Sequence, residues 1–517
     1  MLKDISHAGG VQDADEILFT TPFGYMFAHA ATRPDCLLPV AERTEDALLE
    51  LGAAMADPGL DAGLNSGVPA VFTYLGQFID HDITARTDRE SEVSQIGYRD
   101  GRPRRITPLD PAFVVANLKN GRRPQLDLDS LYGDGPALLH EPAVADATEA
   151  DALYAADKTL LTQAVNGGFD VPRTGRKALI ADMRNDENLN VSQLHAAMLA
   201  FHNQVVATLP GSPTDIVAYL EARQLVRWAY QYAVVNDYLV NVCDRNVVAD
   251  ILANGPGFFG PATGGDQLFM PLEFSVAGFR FGHSMVRGTY QIRGGTNLTI
   301  TDVLGTSTVP DPTGKKNKKT VDLLTGAAGD DQLKPEHIIE WSNYVQFSGM
   351  PAPQMARRID PLLSVGLFDL SFESATIGVM IRHLAQRNLF RGYLLSIPTG
   401  QAVAAAMGVE PLTEEQLCAT ELPTIKAAVE HGRFHTRTPL WYYVLREAQV
   451  QKDGSSLGAV GSRLVAETLI GMIKYDPNSY WNNRAHDAVT DAGIVLNGAA
   501  QPIATIADLL DMAGVPK

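Results

Sequence analysis

The chain has 517 residues, of which 45% are hydrophobic, enough for one large domain or about three ordinary ones. Acidic side chains (60) outnumber lysines and arginines (42), and the resulting net charge of −18 argues against nucleic acid or an anionic membrane as the main partner. The three cysteines, Cys36, Cys243 and Cys418, are too few and too widely spaced for a disulfide framework or a zinc motif.

The first residues, Met1–His7, are polar and lack the apolar stretch of a secretory signal. No run of about 18 uninterrupted apolar residues occurs, so we expect no transmembrane helix. The compartment stays open between the cytoplasm, export with a signal that has been removed, and export by a route that leaves no visible signal.

Helical periodicity dominates, and we predict a mainly α-helical fold with little β structure, organised as a single domain over residues 1–517. In chain order, the predicted helices are Glu42–Ala56, Val68–Ile83, Val191–Leu209, Asp215–Val242, Pro335–Phe347, Ser462–Tyr475 and Ile503–Ala513. Short strands are predicted at Gly278–Phe281 and Gly288–Ile292. The segment Arg293–Lys319 is predicted to be a loop with the basic run Lys315–Lys319 at its solvated tip.

A histidine flanked by two acids stands near the end of the second predicted helix. Residues 76–82 read GQFIDHD, so Gln77 lies four residues before His81 on one helical face, with Asp80 and Asp82 beside the histidine. The pattern also fits a solvated helix end, but this helix is otherwise apolar, and buried polar groups need partners. We interpret His81 as a candidate general base.

An acid-rich turn, LDLDSLYG, occupies residues 126–133. Clustered carboxylate oxygens suit Ca²⁺, although the spacing is not that of an EF-hand. An ordinary acidic turn explains the pattern equally well. A calcium site here would need a further ligand, for which Asp82 is the natural candidate.

The sequence RNDE places Arg184 and Glu187 one helical turn apart, just before the helix predicted from Val191. The pair fits a surface ion pair or a helix cap. In the functional interpretation, Arg184 is a fixed positive charge that polarises a leaving oxygen.

A second histidine, His283, stands among apolar neighbours in FRFGHSMV, residues 279–286. Such a residue is usually part of the core, and the alternative is axial ligation of haem iron, which requires an acceptor for the other ring nitrogen. In RNLFRG, residues 387–392, the amide oxygen of Asn388 could hold this histidine and Arg391 could pair with a haem propionate.

A third histidine pattern occurs at residues 430–435, EHGRFH. His431 and His435 are four residues apart and could share a metal on a helix. Gly432 stands where an HExxH motif needs its glutamate, so we interpret the pair as structural.

Together and in this order, the motifs resemble the animal-type haem peroxidases, the peroxidase–cyclooxygenase superfamily that includes myeloperoxidase. The resemblance covers about residues 68–400 and is carried by GQFIDHD, LDLDSLYG, RNDE, FRFGHSMV and RNLFRG. The lean architecture and the few cysteines are more similar to a bacterial member than to a mammalian one. The resemblance implies one helical domain that binds haem b.

The resemblance also implies roles for the residues on the distal side of the haem. His81, Arg184 and Gln77 correspond to the catalytic residues, with Gln77 contacting water or halide. Asp80 and Glu187 stand where carboxylates form ester bonds to haem methyl groups.

On the proximal side, the resemblance makes His283 the iron ligand and Asn388 its hydrogen-bond partner. Arg391 falls at the position that pairs with a haem propionate. The residue after the ester glutamate is Asn188 rather than methionine, so a sulfonium link to haem is not expected and chloride oxidation is not favoured.

The resemblance implies a Ca²⁺ site as well, formed by Asp82, Arg123, Gln125, Asp127 and Asp129. Arg123 stands where a hydroxyl donor is usual and could offer only its carbonyl oxygen. Gln125 occupies a carbonyl-donor position, and Asp129 replaces a frequent serine.

The activity implied is reduction of H₂O₂ through an oxyferryl intermediate, with oxidation of halides, pseudohalides or small phenolic donors. One alternative is a fatty-acid dioxygenase of the same superfamily, which would need a tyrosine three residues before the proximal histidine, where this chain has Arg280. A non-catalytic haem-binding or adhesive protein is the other, against which His81, Arg184 and Gln77 together argue. A third alternative is a non-haem metal site formed by histidine and carboxylate ligands, which would lack the Soret absorbance of haem.

Overall fold

A computed structural model describes most of the chain. The described residues are 21–57, 63–85, 106–133, 135–136, 153–155, 159–165, 167–174, 177–211, 216–261, 267–304, 332–368, 383–419 and 422–517, with the short strands 4–5, 11–12, 98–99 and 102–103. The basic run Lys315–Lys319 lies outside the described residues.

Helices make up most of the described structure, which confirms the predicted mainly α-helical class. The helices are α1 Ala28–Ala31, α2 Glu42–Ala54, α3 Val71–Ile83, α4 Pro111–Asn117, α5 Asp129–Tyr132, α6 Leu189–Thr208, α7 Ile216–Ala233, α8 Leu239–Val242, α9 Arg245–Asn254, α10 Leu272–Val276, α11 Ile300–Val303, α12 Leu384–Leu394, α13 Gly400–Met407, α14 Glu414–Cys418, α15 Pro423–Gly432, α16 Leu440–Lys452, α17 Ala459–Tyr475 and α18 Ile506–Met512.

Strands are short and form small sheets of two or three strands in the described part of the chain. They are β1 Asp4–Ile5, β2 Val11–Gln12, β3 Thr21–Gly24, β4 Ala56–Asp57, β5 Asn65–Pro69, β6 Tyr98–Arg99, β7 Arg102–Pro103, β8 Lys119–Asn120, β9 Gln163–Val165, β10 Gly168–Asp170, β11 Arg173–Thr174, β12 Lys177–Ala178, β13 Met270–Pro271, β14 Thr289–Arg293, β15 Thr296–Thr299, β16 Met355–Arg357, β17 Leu363–Ser364, β18 Val489–Thr490 and β19 Gly493–Ile494. The one three-stranded sheet that these residues form has the order β13-β3-β8.

Helix α6 is central, because nearly all of its side chains are buried on every face. It packs against α3 and α7, and so places the segment that precedes it beside α3. Helix α7 continues through a π-helical turn, Val234–Tyr238, into α8, which confirms the long helix predicted over Asp215–Val242. Single π turns inside helices often occur at functional sites, and this one places Tyr238 in the interior.

Two predicted elements are wrong because tertiary contacts determine the backbone conformation of these segments. Pro335–Phe347 contains two 3₁₀ turns, Pro335–His337 and Trp341–Asn343, instead of a helix. The aromatic residues of this segment pack inward, and Tyr344 stacks on Tyr290 with ring centroids 5.8 Å apart. The predicted strand at 278–281 is part of a 3₁₀ helix, Gly278–His283.

The predicted loop over Arg293–Lys319 is also wrong at its start. Gly294 and Gly295 have positive φ angles of 52° and 88°, and they connect β14 to β15 as a hairpin that runs on into α11. Two adjacent glycines are typical of a tight hairpin turn. The Gly, Thr and Pro content of the whole segment led instead to the prediction of a loop. The adjacent strand prediction, Gly288–Ile292, is confirmed by β14.

One hydrophobic cluster includes residues from Phe23 to Val515, which supports the single-domain prediction without testing it. In the described ranges, no helix combines the length and the apolar character needed to cross a membrane.

Candidate active site

Helix α3 carries the first histidine motif into the interior. His81 and Asp82 have no exposed surface, and Asp80 is only 4% exposed. The helix therefore does not end in solvent, and the interpretation of His81 as a capped surface histidine is wrong. Burial raises the pKa of Asp80, and the charges of His81, Arg184 and Arg280 act against that rise.

The His81 ring is held on one side by an amide. Its Nδ1 lies 2.8 Å from Asn185 Oδ1, so the ring donates to the amide oxygen through an Nδ1 proton. Its Nε2 lies 3.5 Å from Glu187 Oε1 and makes no hydrogen bond within the described structure. In the neutral ring, Nε2 then carries the lone pair, as a general base requires.

Arg184 is buried and fixed by a carboxylate that the sequence did not single out. Its Nη2 donates to Asp182 Oδ2 at 2.7 Å and to the His81 carbonyl oxygen at 2.8 Å. Arg122 donates to the same carboxylate oxygen at 2.6 Å. Burial alone would raise the pKa of Asp182, but these two guanidinium groups outweigh it and hold that pKa far below its usual range.

A cavity is walled by α3, by the turn Gly278–His283 and by Glu187. Four predicted site residues line it: Gln77, Asp80, Glu187 and His283. His81 and Arg184 do not line it, but His81 Nε2 lies 3.5 Å from Oε1 of Glu187, which does. The rest of the wall is largely apolar, with Phe72, Val286, Ile300, Leu304, Leu367 and Leu384.

Gln77 is held at both ends of its amide. Its nitrogen donates to Glu187 Oε1, and its oxygen accepts from Asn188 Nδ2 at 3.0 Å. The predicted distal glutamine, the predicted ester glutamate and the residue in the methionine position thus form one hydrogen-bonded group on the cavity wall.

The second histidine meets the predicted asparagine. Asn388 Nδ2 lies 2.8 Å from His283 Nδ1, which brings together residues 105 apart in sequence. The predicted polarity is wrong, because Arg280 Nη1 donates to Asn388 Oδ1 at 2.7 Å and a guanidinium has only donors. The amide nitrogen, not its oxygen, therefore faces the histidine.

His283 is surrounded by buried positive charge. Burial lowers its pKa well below the usual range, and the charges of Arg280, Arg387 and Arg391 lower it further. The ring is therefore neutral. While Nδ1 accepts from the Asn388 amide nitrogen, the ring proton is on Nε2, so iron ligation through Nε2 would require the amide to turn its oxygen toward the histidine. Arg391 is 2% exposed on the same face of α12 as Asn388, as the sequence predicted.

The acidic turn lies against the end of α3. Asp82 Oδ2 accepts from the Leu128 N–H at 3.1 Å, while Asp82 Oδ1, Asp127 Oδ1, Asp129 Oδ2 and Ser130 Oγ are buried without a hydrogen bond. Burial, and next the charge of Asp129, raises the pKa of Asp82 to about 7. Burial and the other two carboxylates raise the pKa of Asp127 well above its usual range, and burial raises that of Asp129.

These oxygens have the chemistry of a calcium site, because mutually repelling buried carboxylates are relieved by a cation. The described side chains nevertheless include no preassembled group of three metal ligands. Arg123 directs its guanidinium to within 3.7 Å of Asp127 Oδ2, and Gln125 is half-buried beside it. Calcium binding at Asp82, Arg123, Gln125, Asp127 and Asp129 stays a prediction.

The third histidine pattern does not form a pair on one helix. Helix α15 ends at Gly432, before His435. His431 Nδ1 lies instead 2.7 Å from Glu50 Oε2 in a half-exposed ion pair. This geometry agrees with the structural interpretation of the two histidines.

Sequence reasoning missed four residues that build the site: Asp182, Asn185, His195 and Arg280. Asn185 lies inside the RNDE motif and was not assigned a role. Asp182 precedes that motif by two residues, and an acid this close to the candidate arginine was a usable signal. His195 and the contact of Arg280 with Asn388 depend on tertiary packing and left no local pattern.

Residues 125–341 match the family model of the animal haem peroxidases. No curated protein sequence gives a significant match. Among solved structures, peroxidase A from Dictyostelium discoideum superposes with a TM-score of 0.59 at 15% identity, covering 95% of this chain and 96% of that one. The Oryza sativa fatty acid α-dioxygenase gives a TM-score of 0.56 at 14% identity, covering 90% and 76% of the two chains. The Arabidopsis thaliana fatty acid α-dioxygenase gives 0.53 at 13% identity, covering 97% and 83%.

The matched segment contains the acidic turn, the RNDE motif and His283, and the fold is that of solved peroxidases and dioxygenases. Over residues 125–341, less than half of the chain, the sequence is thus similar to the animal haem peroxidases. The solved structures that share this fold include a peroxidase and fatty acid α-dioxygenases.

Proposed function

We propose that the chain is a haem peroxidase that reduces H₂O₂ and oxidises small donors. One observation carries this proposal. A single cavity is lined by His283, a neutral imidazole held by an amide, and by the hydrogen-bonded pair Gln77 and Glu187. The proposed base, His81, lies 3.5 Å from Glu187. A site that only stores haem has no need of a buried base behind the cavity wall.

The residues fit haem b. His283 would hold the iron, which supplies the redox chemistry when the cofactor is bound. Arg391, which is buried on α12, is the predicted partner of a propionate. Asp80 and Glu187 line the cavity and are the two carboxylates available there for ester bonds, as the resemblance implies.

His81 takes up the peroxide proton at Nε2, because its Nδ1 proton is committed to Asn185. Arg184 holds the His81 carbonyl and keeps a fixed positive charge beside it, which favours charge that develops on a departing oxygen. Gln77 orients small polar molecules through its amide. The donors are halides, pseudohalides or small phenols, and the apolar part of the wall favours an aromatic ring.

A second candidate is a fatty-acid dioxygenase, which two observations favour. Tyr74 and Tyr238 both line the cavity, and the wall beyond them is apolar. Against it, the position three residues before His283 is Arg280, whose guanidinium is engaged with Asn388. We place this activity second.

The test is donor oxidation with H₂O₂ by the haem-loaded protein and by His81→Leu. We expect the variant to keep its haem and to lose ~10²- to 10⁴-fold in the rate of reaction with peroxide, the usual contribution of a general base. His431→Leu removes a surface imidazole and should not change the rate. Equal rates for His81→Leu and the unmodified protein would contradict the proposal.

Oxygen uptake distinguishes the two candidates. The peroxidase predicts no oxygen consumption with linoleate in the absence of H₂O₂. Rapid uptake that Tyr238→Phe or Tyr74→Phe abolishes would select the dioxygenase instead.

A further inference from the structure

Three buried polar side chains form a continuous line away from the cavity. Asn185 lies between two imidazoles, with its Oδ1 2.8 Å from His81 Nδ1 and its Nδ2 3.0 Å from His195 Nδ1. All three side chains are fully buried. The amide therefore joins the candidate base to a second buried histidine.

The two ends of an amide are chemically different. The oxygen only accepts, so His81 must donate from Nδ1 and leave Nε2 with the lone pair. The nitrogen only donates, so His195 must accept at Nδ1. A reversed amide would need the opposite ring form of His81, with its proton on Nε2, and that form could not accept a proton there.

His195 is suited to hold the amide in this direction. It extends from α6, its ring meets Phe78 edge-on at 6.1 Å, and its Nε2 makes no hydrogen bond within the described structure. Burial lowers its pKa to about 3, with the charge of Asp182 acting against that shift and the charge of His81 adding to it. A neutral His195 with its proton on Nε2 offers an acceptor at Nδ1 to Asn185 Nδ2.

The backbone around Asn185 is also fixed. Asn185 sits in the 3₁₀ turn Met183–Asp186, and its N–H donates to the Asp182 carbonyl oxygen at 2.9 Å. The Asp182 side chain accepts from the Arg184 N–H at 3.0 Å, and Arg184 in turn holds the His81 carbonyl. The turn and the base are thus tied together at both backbone and side chain.

We propose that Asn185 is a positioning residue that sets the orientation and the tautomer of His81, and that His195 sets the direction of the Asn185 amide. This inference rests on the proposed function, because it gives His81 its role as the base. Neither residue touches substrate or haem. Together they make the proton acceptor of the cavity an Nε2 lone pair.

The direct test is nitrogen NMR of the protein labelled with ¹⁵N-histidine, with His81→Gln used to assign the signal. We expect His81 to be the Nδ1–H tautomer in the unmodified protein and a mixture of tautomers in Asn185→Leu. Asn190→Leu is the matched control, since Asn190 is an equally buried amide that binds Tyr344 and does not contact His81. It should leave the His81 signal unchanged.

A second readout is the rate at which the ferric, haem-loaded protein binds cyanide, which enters as HCN and must give up a proton to the distal base. We expect Asn185→Leu to slow this rate by ~10- to 100-fold, part of the usual contribution of a general base. His195→Phe should give a smaller decrease, because the amide keeps His81 as a partner but can rotate. Asn190→Leu should bind cyanide at the normal rate.

An Nε2–H tautomer of His81 in the unmodified protein would overturn the inference, as would equal cyanide rates in Asn185→Leu and Asn190→Leu. Failure of the proposed function looks different. If the protein takes up no haem or turns over no donor, the cyanide readout is lost, but the tautomer of His81 still decides whether Asn185 positions it.

Discussion

At the scale of single residues, Glu273 is a buried carboxyl that acts outside the cavity. It has no exposed surface, and its two oxygens accept from the N–H groups of Met26 at 2.8 Å and Phe27 at 2.9 Å. It thereby fixes the segment before α1 to α10, across 246 residues of sequence. Burial raises its pKa from 4.5 to about 7, and these hydrogen bonds only partly oppose the rise.

This shift gives stability a defined pH dependence. Because the folded pKa is the higher one, the folded state binds more protons than the unfolded state between about pH 4.5 and 7, and the free energy of unfolding falls as pH rises through that window. We expect the melting temperature of Glu273→Gln to decline less than that of the unmodified protein between pH 5 and about pH 8. Melting curves recorded at several pH values measure this difference.

Glu447 is a second buried carboxyl on which the same measurement can be made. It is equally buried, its pKa is also raised to about 7 by burial, and it accepts from the N–H groups of Val460 and Gly461. Glu447→Gln should flatten the curve in the same direction, and the two changes should add because the sites share no partner. If the melting temperatures of the unmodified protein and both variants changed in parallel with pH, neither carboxyl would titrate between pH 5 and about pH 8.

The environment of His283 shows what sequence can predict of a residue and what it cannot. The motifs identified His283, Asn388 and Arg391 as neighbours, because each residue type suits one task at a haem. They gave the wrong polarity to Asn388, since that depends on Arg280 donating to its oxygen from 108 positions away. The sequence was sufficient to identify the residues around His283, whereas the direction of the hydrogen bond between Asn388 and His283 required the packed structure.

At the scale of elements, the acidic turn joins α3 to α7. The Leu126 carbonyl accepts from Gln231 of α7 at 2.8 Å, and the Leu128 N–H donates to Asp82 at the end of α3. Leu128 has a positive φ of 62°, a conformation that costs energy for a non-glycine residue and therefore needs support from its surroundings. A cation bound between the carboxylates would supply that support.

Calcium should therefore stabilise the protein through this junction. We expect added Ca²⁺ to raise the melting temperature at pH 7 and a chelator to lower it, because a ligand that binds only the folded state stabilises it. Asp127→Asn should abolish the response, whereas the exposed Asp491→Asn should retain it. Isothermal titration calorimetry with Ca²⁺ on both variants checks the binding itself.

A melting temperature that is the same with Ca²⁺ and with chelator would contradict a calcium site. The Arg123 and Arg223 guanidinium groups, each 3.7 Å from a carboxylate of the turn, would then be the charges that stabilise it.

The elements that were predicted correctly are the long ones with a clear helical period, such as α6 and α7. Short segments failed where a local signal was weak or overridden. In Gly278–His283 the backbone turns because Arg280 donates from Nε to the Ser275 carbonyl, a contact that no periodicity announces. The same turn determines where His283 stands, so the local failure lies at the site itself.

At the scale of the whole molecule, the cavity is assembled from distant parts of the chain. Residues near 77, 187, 283 and 384 line one space, and the order of their motifs was readable because each contains an unusual group of polar residues. Its apolar wall, which includes Ile300, Leu304 and Leu367, was not predictable, since single apolar residues resemble any other core position. The fold is shared with peroxidase A from Dictyostelium discoideum at only 15% identity, so packing is retained where sequence is not.

The most direct test of the central claim is the absorption spectrum of the protein purified in the presence of haem, compared with His283→Ala. We predict a Soret band, about one haem per chain, and loss of both the band and peroxide turnover in the variant, because we propose His283 as the iron ligand. His202→Ala, which removes a buried imidazole bonded to Tyr132 instead, should keep the band. A His283→Ala protein that retained both the Soret band and turnover would contradict the account.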